Sequence, residues 1–461
     1  MTRIAIIGGG PGGYEAALVA AQLEGEVTLV ERDGPGGACV LTDCVPSKTL
    51  IATSTRMAVL SESASLGIQF SGGPDGKVGG AVVDLPLVNK RVRELAWAQS
   101  TDVEQRLKAA GVTVVHGDGR LVDPQVVAVG DERIRADMVL IATGATPRIL
   151  PGAEPDGERI LNWRQLYELP ELPEELIVVG SGVTGAEFAS AYQALGSRVT
   201  LVSSRERVLP HEDPDAAGVL EDVFRRRGMN VLSRSRAAKV SRSGDGVIVT
   251  LEDGRMVTGT HCLMTVGMVP NTHGLGLEEA GVRLDDNGFV IVDKVSRTSA
   301  GNVYAAGDCT GIMMLASVAA MQGRIAMWHA LGEAVQPLKL GWVAATIFTD
   351  PEVGTVGVSQ QMIDSGEVEA RTVTLPLATN ARAKMQGFLD GFVKLFCRPA
   401  TGIVLGGVVV APRASELVLG LSIAVQQHLT VDQLAHTFAV YPSLSGSITE
   451  AARRLMKDSA Y

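Results

Sequence analysis

A stretch of 24 residues near the start of the chain recurs 172 residues later, and this repeat restricts the possible folds more than any other feature. Residues 8–31 read GGGPGGYEAALVAAQLEGEVTLVE and residues 180–203 read GSGVTGAEFASAYQALGSRVTLVS, with three glycines and a VTLV segment in register. Each copy follows a short apolar run and contains an alanine-rich stretch. The repeat therefore predicts two copies of one βαβ unit.

The glycines of each copy have the GxGxxG spacing of a dinucleotide site. The first glycine permits a tight turn, the second lets backbone amides approach a pyrophosphate, and the third lets helix and strand pack closely. The helix that follows presents its N-terminus to the phosphates. The positions are Gly8, Gly10 and Gly13 in the first copy and Gly180, Gly182 and Gly185 in the second.

The residue 23 places after the first glycine distinguishes the two sites. In the first copy it is Glu31, which suits a ribose 2′-hydroxyl and favours a nucleotide without a 2′-phosphate. In the second copy it is Ser203, followed by Ser204 and Arg205. Because the repelling carboxylate is missing and an arginine is near, we expect NADPH to be accepted, while NADH stays possible. The alternative is that Arg205 and Arg207 are solvated loop charges.

The length and the pattern of the chain predict several domains of the α/β class. A chain of 461 residues suggests about three domains. We expect two Rossmann-like dinucleotide-binding domains and a C-terminal α+β domain, in which alternating runs predict an antiparallel sheet. A glycine-rich stretch at 71–80 predicts a surface excursion. The expected boundaries are 1–150, 151–272, 273–340 as a central segment that returns to the first domain, and 341–461.

Charge and hydropathy narrow the range of partners. Lys plus Arg total 41 against 51 Asp plus Glu, a net charge of -10, which argues against nucleic acid or an anionic membrane as partner. Residues 4–7 are too short an apolar run for a secretion signal, and no window is long enough for a membrane helix. We expect a cytoplasmic protein that acts on small molecules, and we assign no metal ligands. Cys262, Cys309 and Cys397 are expected to be core thiols.

Cys39 and Cys44 lie close together in GPGGACVLTDCVPSKTL, residues 34–50. In a regular helix a separation of five residues is a rise of about 7.5 Å, so a disulfide between them requires an irregular turn, which two glycines and a proline favour. A thiolate at Cys44, near a helix start, would be stabilised by the helix dipole and by Lys48. The alternative is a pair of buried thiols beside a turn.

The segment GGACVLTDCVPSK resembles the redox-active segment of the flavoprotein disulfide reductases, the family of lipoamide dehydrogenase and glutathione reductase. The resemblance extends over nearly the whole chain. It includes ATG at 142–144, TVGMVPNT at 265–272, GD at 307–308 and FTDPEVGTVG at 348–357. It implies that the C-terminal α+β domain, 341–461, is a dimer-interface domain. It also implies FAD in the first lobe, NADPH or NADH in the second, and a homodimer, or a dimer of dimers, whose active sites each use both subunits.

The resemblance also assigns roles to residues. Cys44 would be the thiol nearest the flavin, and Cys39 would be the interchange thiol. Lys48 would approach flavin N5 and pair with Glu187. With these four residues, Tyr441 is expected to be catalytic. The residues expected to bind FAD are Gly8, Gly10, Pro11, Gly12, Gly13, Glu31, Ala38, Cys39, Lys48, Gly117, Gly119, Thr143, Gly144, Asp308, Leu315 and Ala316. Those expected to bind the nicotinamide nucleotide are Gly180, Gly182, Val183, Thr184, Gly185, Glu187, Ser203, Ser204, Arg205 and Gly267.

The C-terminal segment departs from the family pattern. Thiol-reducing members have HPT followed by Glu, whereas TFAVYPSLSG places Tyr441 at the His position and Gly446 at the Glu position. A phenol with a pKa near 10 is ionised about one part in a thousand at pH 7, and loss of a general base costs about 100- to 10,000-fold in rate. Quinones need no thiol exchange, and their protons can come from solvent or from Tyr441.

We therefore expect an FAD-dependent NAD(P)H:quinone oxidoreductase. The alternatives are a soluble pyridine nucleotide transhydrogenase, a dihydrolipoamide dehydrogenase-like disulfide reductase of low activity, and a flavoprotein that has lost its redox function.

Overall fold

Two five-stranded parallel sheets, each built on one copy of the repeat, form the centres of the first two regions of the computed structural model. The structure describes residues 1–68 and 81–456. The predicted surface excursion at 71–80 lies outside the described residues.

The first copy of the repeat forms the centre of the first sheet. The elements up to residue 147 are β1 (Arg3–Ile7), α1 (Pro11–Gln22), β2 (Glu26–Glu31), α2 (Gly37–Leu41), α3 (Cys44–Glu62), α4 (Leu85–Ala109), β3 (Thr113–His116), β4 (Gly119–Asp123), β5 (Val126–Val129), β6 (Glu132–Arg135), β7 (Met138–Ile141) and β8 (Ala145–Pro147). β1 lies between β2 and β7, parallel to both, with Ile4 opposite Val27 and Met138. Residues 4–7 are buried, as expected for a central parallel strand. β4, β5 and β6 form a small antiparallel sheet.

The second copy forms an equivalent sheet. Its elements are β9 (Ile160–Leu161), β10 (Glu175–Val179), α5 (Val183–Leu195), β11 (Arg198–Val202), α6 (Pro214–Arg226), β12 (Asn230–Leu232), β13 (Ala237–Ser243), β14 (Gly246–Leu251), β15 (Met256–Gly259), β16 (His261–Met264) and β17 (Met268–Pro270). The strand order is β12-β11-β10-β16-β9, so β10 lies between β11 and β16 as β1 lies between β2 and β7. β13, β14 and β15 form an antiparallel sheet, and β17 pairs with β8 across the two regions.

The chain then returns to the first sheet through β18 (Val303–Ala305), which lies beside β7, and continues into α7 (Ala316–Ala330). The first sheet therefore has the order β18-β7-β1-β2-β3. α7 packs closely on α1, since a Cβ atom on Gly323 would lie 2.1 Å from the carbonyl oxygen of Gly12. Glycine at this position allows the two helices to touch.

The last region is an antiparallel sheet covered by helices. Its elements are β19 (Ala344–Ile347), β20 (Glu352–Gly357), α8 (Gln360–Asp364), β21 (Arg371–Pro376), α9 (Ala381–Gln386), β22 (Phe392–Cys397), β23 (Val404–Ala411), α10 (Ala414–Gln426), α11 (Val431–Ala435) and α12 (Gly446–Leu455). The strand order is β19-β20-β23-β22-β21. The predicted fold class, two Rossmann-like sheets plus a C-terminal α+β region, is confirmed.

Short 3-10 helices complete the described chain at Ser63–Leu66, Trp163–Glu168, Asp308–Thr310, Leu340–Trp342 and Leu377–Thr379. Within residues 1–68 and 81–456, no helix combines the length and the apolar character that crossing a bilayer requires.

Candidate active site

The first glycine loop connects β1 to α1. Of its three GxGxxG glycines, Gly8 and Gly13 have no room for a side chain, whereas Gly10 has. Gly8 has φ +102°, and a Cβ atom there would lie 2.3 Å from the carbonyl oxygen of Ala142. A Cβ atom on Gly13 would lie 1.8 Å from the carbonyl oxygen of Gly8. At Gly10, by contrast, an added Cβ atom meets no described atom within 4 Å. This open space lies where a pyrophosphate would approach the loop amides.

The second glycine loop, between β10 and α5, repeats this arrangement. A Cβ atom on Gly180 would lie 2.3 Å from the carbonyl oxygen of Thr265. A Cβ atom on Gly185 would lie 1.9 Å from the carbonyl oxygen of Gly180. At Gly182 no described atom lies within 4 Å of an added Cβ. Both loops therefore fit the phosphates of a dinucleotide, as FAD and a nicotinamide nucleotide require.

The predicted acid ends β2 beside the first loop. The buried Glu31 carboxylate accepts hydrogen bonds from the Gly9 amide at 2.5 Å and from the Asp33 amide at 2.8 Å. The Gly117 amide donates to the Glu31 carbonyl oxygen at 3.0 Å, and Gly119 packs against Ile7 and Val30 at the same strand ends. The structure thus brings the predicted residues 31, 117 and 119 together at one edge of the sheet.

The residues predicted to hold a 2′-phosphate follow the end of β11, and they differ in their exposure to solvent. Ser203 is completely buried, and its hydroxyl accepts a hydrogen bond from the Arg205 amide at 3.1 Å. Ser204 and Arg205 have exposed side chains, and the neighbouring Glu206 forms an ion pair with Arg234 at 2.5 Å. Of the three residues predicted to hold a 2′-phosphate, only Ser204 and Arg205 are therefore accessible.

The cysteine segment lies directly on the first glycine loop. α2 ends at Leu41 and α3 begins at Cys44, so two non-helical residues interrupt the helix and the predicted irregular turn between the cysteines is confirmed. The Gly36 amide donates to the Gly9 carbonyl oxygen at 2.8 Å. A Cβ atom on Gly37 would lie 2.9 Å from the Gly10 Cα.

The two thiols are free in the structure, and each affects the pKa of the other. The hydrogen bond from Cys39 lowers the pKa of Cys44, and the Lys48 ammonium lowers it further, against the effect of burial. The same interaction, together with burial and the charge of Asp43, raises the pKa of Cys39. In the dithiol, the thiolate therefore forms first on Cys44.

An ion pair near these thiols joins the two nucleotide regions, and its carboxylate accepts a hydrogen bond from the C-terminal region. Lys48 Nζ in α3 lies 2.8 Å from Glu187 Oε2 in α5, and Glu187 Oε1 accepts a hydrogen bond from the Phe348 amide at 2.9 Å. Lys48 Nζ also lies 4.8 Å from the centroid of the Phe348 ring. The Glu187 side chain is only 5% exposed, so the ion pair with Lys48 stabilises a buried carboxylate. The pairing predicted from the resemblance is confirmed.

Thr143 and Gly144, which follow β7, form hydrogen bonds that connect the first region to the end of the second. Thr143 Oγ1 donates to the Asn271 carbonyl oxygen at 2.7 Å, and the Gly144 carbonyl oxygen accepts from the Asn271 amide at 3.0 Å. The Gly267 carbonyl oxygen accepts from the Arg148 amide at 2.9 Å. These bonds fix the crossing between the two nucleotide regions.

Asp308 begins the short helix that follows β18, and its charge influences the pKa of Cys39. Burial, with a smaller contribution from the negative charge of Asp43, raises the pKa of Asp308 to about 6. The other predicted residues occupy helices and their starts: Pro11 and Gly12 in α1, Ala38 in α2, Val183 and Thr184 in α5, and Leu315 and Ala316 at the start of α7.

Sequence reasoning missed a second polar contact at the cysteines. The Asp43 carboxylate accepts a hydrogen bond from Trp163 Nε1 and lies 3.8 Å from the Arg164 guanidinium. Burial raises the pKa of Asp43, whereas these two partners and Lys48 favour its charged form. The only sequence signal for Asp43 is its position just before Cys44, because its partner Trp163 lies 120 residues further along the chain and Arg164 follows it.

The C-terminal segment supplies no imidazole at the motif position. Tyr441 is 85% exposed, and Gly446 is the first residue of α12. Glu450, one turn further on, is bonded to Arg453 at 2.8 Å and to Arg454 at 3.1 Å. His436 is exposed, with Nδ1 2.8 Å from the carbonyl oxygen of Asp432.

Comparisons with known proteins agree with this geometry. Residues 2–323 match the family model described as pyridine nucleotide-disulphide oxidoreductase, and residues 343–452 match its dimerisation domain. A Mycobacterium tuberculosis protein named NAD(P)H dehydrogenase (quinone) is 57% identical, over 99% of this chain and 94% of the relative. A dihydrolipoyl dehydrogenase of Chlamydia pneumoniae is 32% identical, over 97% and 95%. The crystal structure of LpdA from Mycobacterium tuberculosis superposes with a TM-score of 0.93 at 56% identity, over 99% of this chain and 100% of that chain.

Proposed function

The chain belongs to the pyridine nucleotide-disulphide oxidoreductase family, and we propose that it is an FAD-dependent NAD(P)H:quinone oxidoreductase. The observation that carries the proposal is the exposed Tyr441, which replaces the His of thiol-reducing members, with Gly446 in place of their Glu. The Lys48–Glu187 ion pair and both glycine loops are nevertheless present. The chain therefore has the groups that serve the two cofactors and lacks the pair that serves thiol exchange.

Family membership implies FAD and a nicotinamide nucleotide as cofactors, and the chain's own residues fit both. Bound FAD supplies two-electron transfer between a nicotinamide and a second acceptor. The open sides of Gly10 and Gly182 would admit the pyrophosphates, and Glu31 would orient a ribose. Glu187 fixes the Lys48 ammonium at 2.8 Å, so a positive charge is held beside Cys44.

A quinone suits this site because its reduction requires no proton transfer to or from a sulfur atom. The hydride of NAD(P)H accounts for one of the two hydrogens that the quinone gains, and solvent or the exposed Tyr441 hydroxyl would supply the other as a proton. The printed name of the 57% identical mycobacterial relative supports the same acceptor class for this chain.

The direct test is steady-state turnover of the purified holoenzyme with NADPH and with NADH. We expect kcat/KM for a soluble benzoquinone to exceed the values for lipoamide and glutathione disulfide by at least about 100-fold, the usual contribution of a general base. Turnover of either disulfide as fast as the quinone would refute the proposal.

Two observations favour second candidates. The exposed Ser204 and Arg205 support NADPH binding and hence transhydrogenation from NADPH to NAD. Fast hydride transfer to an NAD analogue without quinone would establish that activity. The free thiols of Cys39 and Cys44, each of which affects the pKa of the other, support a disulfide reductase of low activity, which the lipoamide assay measures.

We propose that the active form is a homodimer. The match of residues 343–452 to the dimerisation domain supports this, as do the exposed apolar side chains on α10 and in the segment before α12. These side chains are Leu419, Ile423, Phe438, Val440 and Tyr441.

We also propose a cytoplasmic location. The thiols of Cys262, Cys309 and Cys397 are free and buried, which suits a reducing compartment. Cell fractionation tests it.

A further inference from the structure

We propose that Ser181 and Ser203 are positioning residues of the second nucleotide loop, where their two hydroxyls replace the carboxylate that Glu31 supplies in the first loop. Because this pair carries no charge, the loop keeps its shape while the site admits the 2′-phosphate of NADPH. The inference rests on the proposed function, which uses a nicotinamide nucleotide, and it names the form of nucleotide that the site prefers.

In the first copy of the repeat, one carboxylate holds both sides of the loop. The Glu31 side chain accepts from the Gly9 amide at 2.5 Å and from the Asp33 amide at 2.8 Å, and Glu31 is only 7% exposed. A Cβ atom on Gly9 would lie 3.0 Å from Glu31 Oε2. Glycine at this position therefore leaves the room that the carboxylate occupies.

In the second copy, two serines stand at the corresponding positions. Ser181 and Ser203 lie 172 residues after Gly9 and Glu31, and both serines are buried. Their hydroxyl oxygens are 2.7 Å apart, and the Ser203 hydroxyl accepts from the Arg205 amide at 3.1 Å. A shorter side chain at residue 203 is thus combined with a longer one at residue 181, and the two hydroxyls together do the work of one carboxylate.

The backbone after β11 is fixed by further hydrogen bonds. The Ser203 carbonyl oxygen accepts from the Ser235 amide at 2.7 Å, and the Arg205 carbonyl oxygen accepts from the Arg234 amide at 2.7 Å. The side chain of Ser204, between these two anchored residues, is exposed. Loss of the Ser203 hydroxyl would leave the Arg205 amide without its acceptor, so the residues around Ser204 would shift.

The charges at this strand end favour an anion. Ser203 is completely buried and uncharged, so it neither repels a phosphate nor reaches a ribose. The Glu206 carboxylate is neutralised by Arg234 at 2.5 Å, whereas the Arg205 side chain is exposed. A 2′-phosphate beside this guanidinium gains a charge-assisted hydrogen bond that is stronger than the bond of a neutral 2′-hydroxyl. We therefore expect the site to prefer the phosphorylated nucleotide.

The test uses ADP-ribose and 2′-phospho-ADP-ribose, two probes that carry no hydride and differ only in the 2′-phosphate. Isothermal titration calorimetry of the oxidised holoenzyme gives their dissociation constants. We expect the unmutated enzyme to bind the phosphorylated probe at least about tenfold more tightly. In Ser203→Ala this preference should fall at least about threefold, while the affinity for ADP-ribose stays within about twofold.

The double variant Ser181→Gly, Ser203→Glu transfers the arrangement of the first copy to the second. Its carboxylate should weaken binding of 2′-phospho-ADP-ribose about 100-fold and leave ADP-ribose within about threefold, so the preference inverts. A purely structural role would weaken both probes equally. Ser203→Glu alone should unfold at lower urea than the double variant, because the Ser181 side chain occupies the room that the carboxylate needs.

Ser243→Glu adds the same charge to an exposed residue at the end of β13 and should change neither affinity. Equal binding of the two probes by the unmutated enzyme, a preference that survives in Ser203→Ala and in the double variant, or an equal loss in Ser243→Glu would overturn the inference. Failure of the proposed function has a different signature. The unmutated enzyme would then fail to reduce quinones with either nucleotide while its preference between the probes persisted.

Discussion

Contacts between side chains distant in sequence determine the charge around the two cysteines. Lys48 meets Glu187 across 139 positions of the chain, and Asp43 meets Trp163 across 120. Each contact crosses from the first nucleotide region to the second. The reactivity of the thiols therefore depends on how the two repeats pack together as well as on the cysteine segment itself.

Asp308 gives a pH dependence whose sign follows from its pKa. Burial raises that pKa to about 6, so the native chain binds a proton more tightly than the unfolded chain. This contribution to stability is fully present below about pH 4 and is lost as the pH rises through 6, with a magnitude of about 2–3 kcal/mol. Urea unfolding of the nucleotide-free protein measures it, and Asp308→Asn should abolish this part of the slope. Asp118→Asn, at a highly exposed carboxylate, should retain it, and an equal loss in both variants would reject the assignment.

Tyr441 gives a prediction about activity. Tyr441→His, combined with Gly446→Glu, restores the residue types of thiol-reducing members at the motif positions. We expect lipoamide turnover to rise at least about tenfold, since a positioned base contributes about 100-fold or more, while quinone turnover stays within about twofold. Phe438→His places an imidazole on a neighbouring exposed residue and should change neither rate. Unchanged lipoamide turnover in the double variant would count against the role given to the missing base.

Residue-level expectations succeeded where a motif fixed the local geometry. The break between α2 and α3 followed from two glycines and a proline, and the Lys48–Glu187 pair followed from the family pattern. The contact between Asp43 and Trp163 did not follow, because nothing in the local sequence of Asp43 indicates that Trp163 folds against it. The burial of Ser203 was also missed, since an offset along the chain locates the end of a strand but not the direction of its last side chain.

The glycine loops yield a prediction at the level of single elements. Gly185→Ala forces a methyl group to within 1.9 Å of the Gly180 carbonyl oxygen, so α5 must move and stability should fall by about 1–3 kcal/mol. Gly182→Ala meets no described atom within 4 Å and has an unstrained backbone, so stability should change by less than about 0.5 kcal/mol. Its methyl group would lie where we expect the pyrophosphate, and NADPH affinity should fall about tenfold or more. Urea unfolding and NADPH titration measure the two effects. Loss of stability without loss of affinity in Gly182→Ala would contradict the assignment.

The elements that carry the repeat were the easiest to predict. Two copies of one pattern predict two equivalent sheets, and β1 and β10 indeed occupy equivalent places. The small antiparallel sheets β4-β5-β6 and β13-β14-β15 were not predicted, because strands of four to seven residues carry little periodicity.

The whole molecule yields a prediction about assembly. Leu419 and Ile423 lie one turn apart on α10, 62% and 50% exposed, so they share one face of the helix. The double variant Leu419→Glu, Ile423→Glu places two charges on this face and should dissociate the proposed homodimer, because buried unpaired charges are strongly unfavourable. Sedimentation equilibrium measures the mass. Met256→Glu, on the exposed hairpin of β15, should leave the dimer intact, and an unchanged mass in the double variant would contradict the proposed interface.

Packing between regions is the part that the sequence could not reveal. Lys394 in β22 is buried and forms ion pairs with Asp213 at 2.7 Å and Asp215 at 2.6 Å, at the start of α6. A lysine within a strand gives no sign that it meets a helix start about 180 residues earlier. Such contacts depend on the relative placement of whole sheets, which local patterns do not encode.

The proposed quinone reduction requires electrons to leave the enzyme without passing through the cysteine pair, and anaerobic reduction by one equivalent of NADPH tests this most directly. The mixture is quenched in acid and alkylated, and the flavin absorbance is recorded before the quench. We expect the flavin absorbance to fall while Cys39 and Cys44 resist alkylation as a disulfide. Retained flavin absorbance with both cysteines alkylated would contradict the account, because the electrons would then reside on the sulfur atoms.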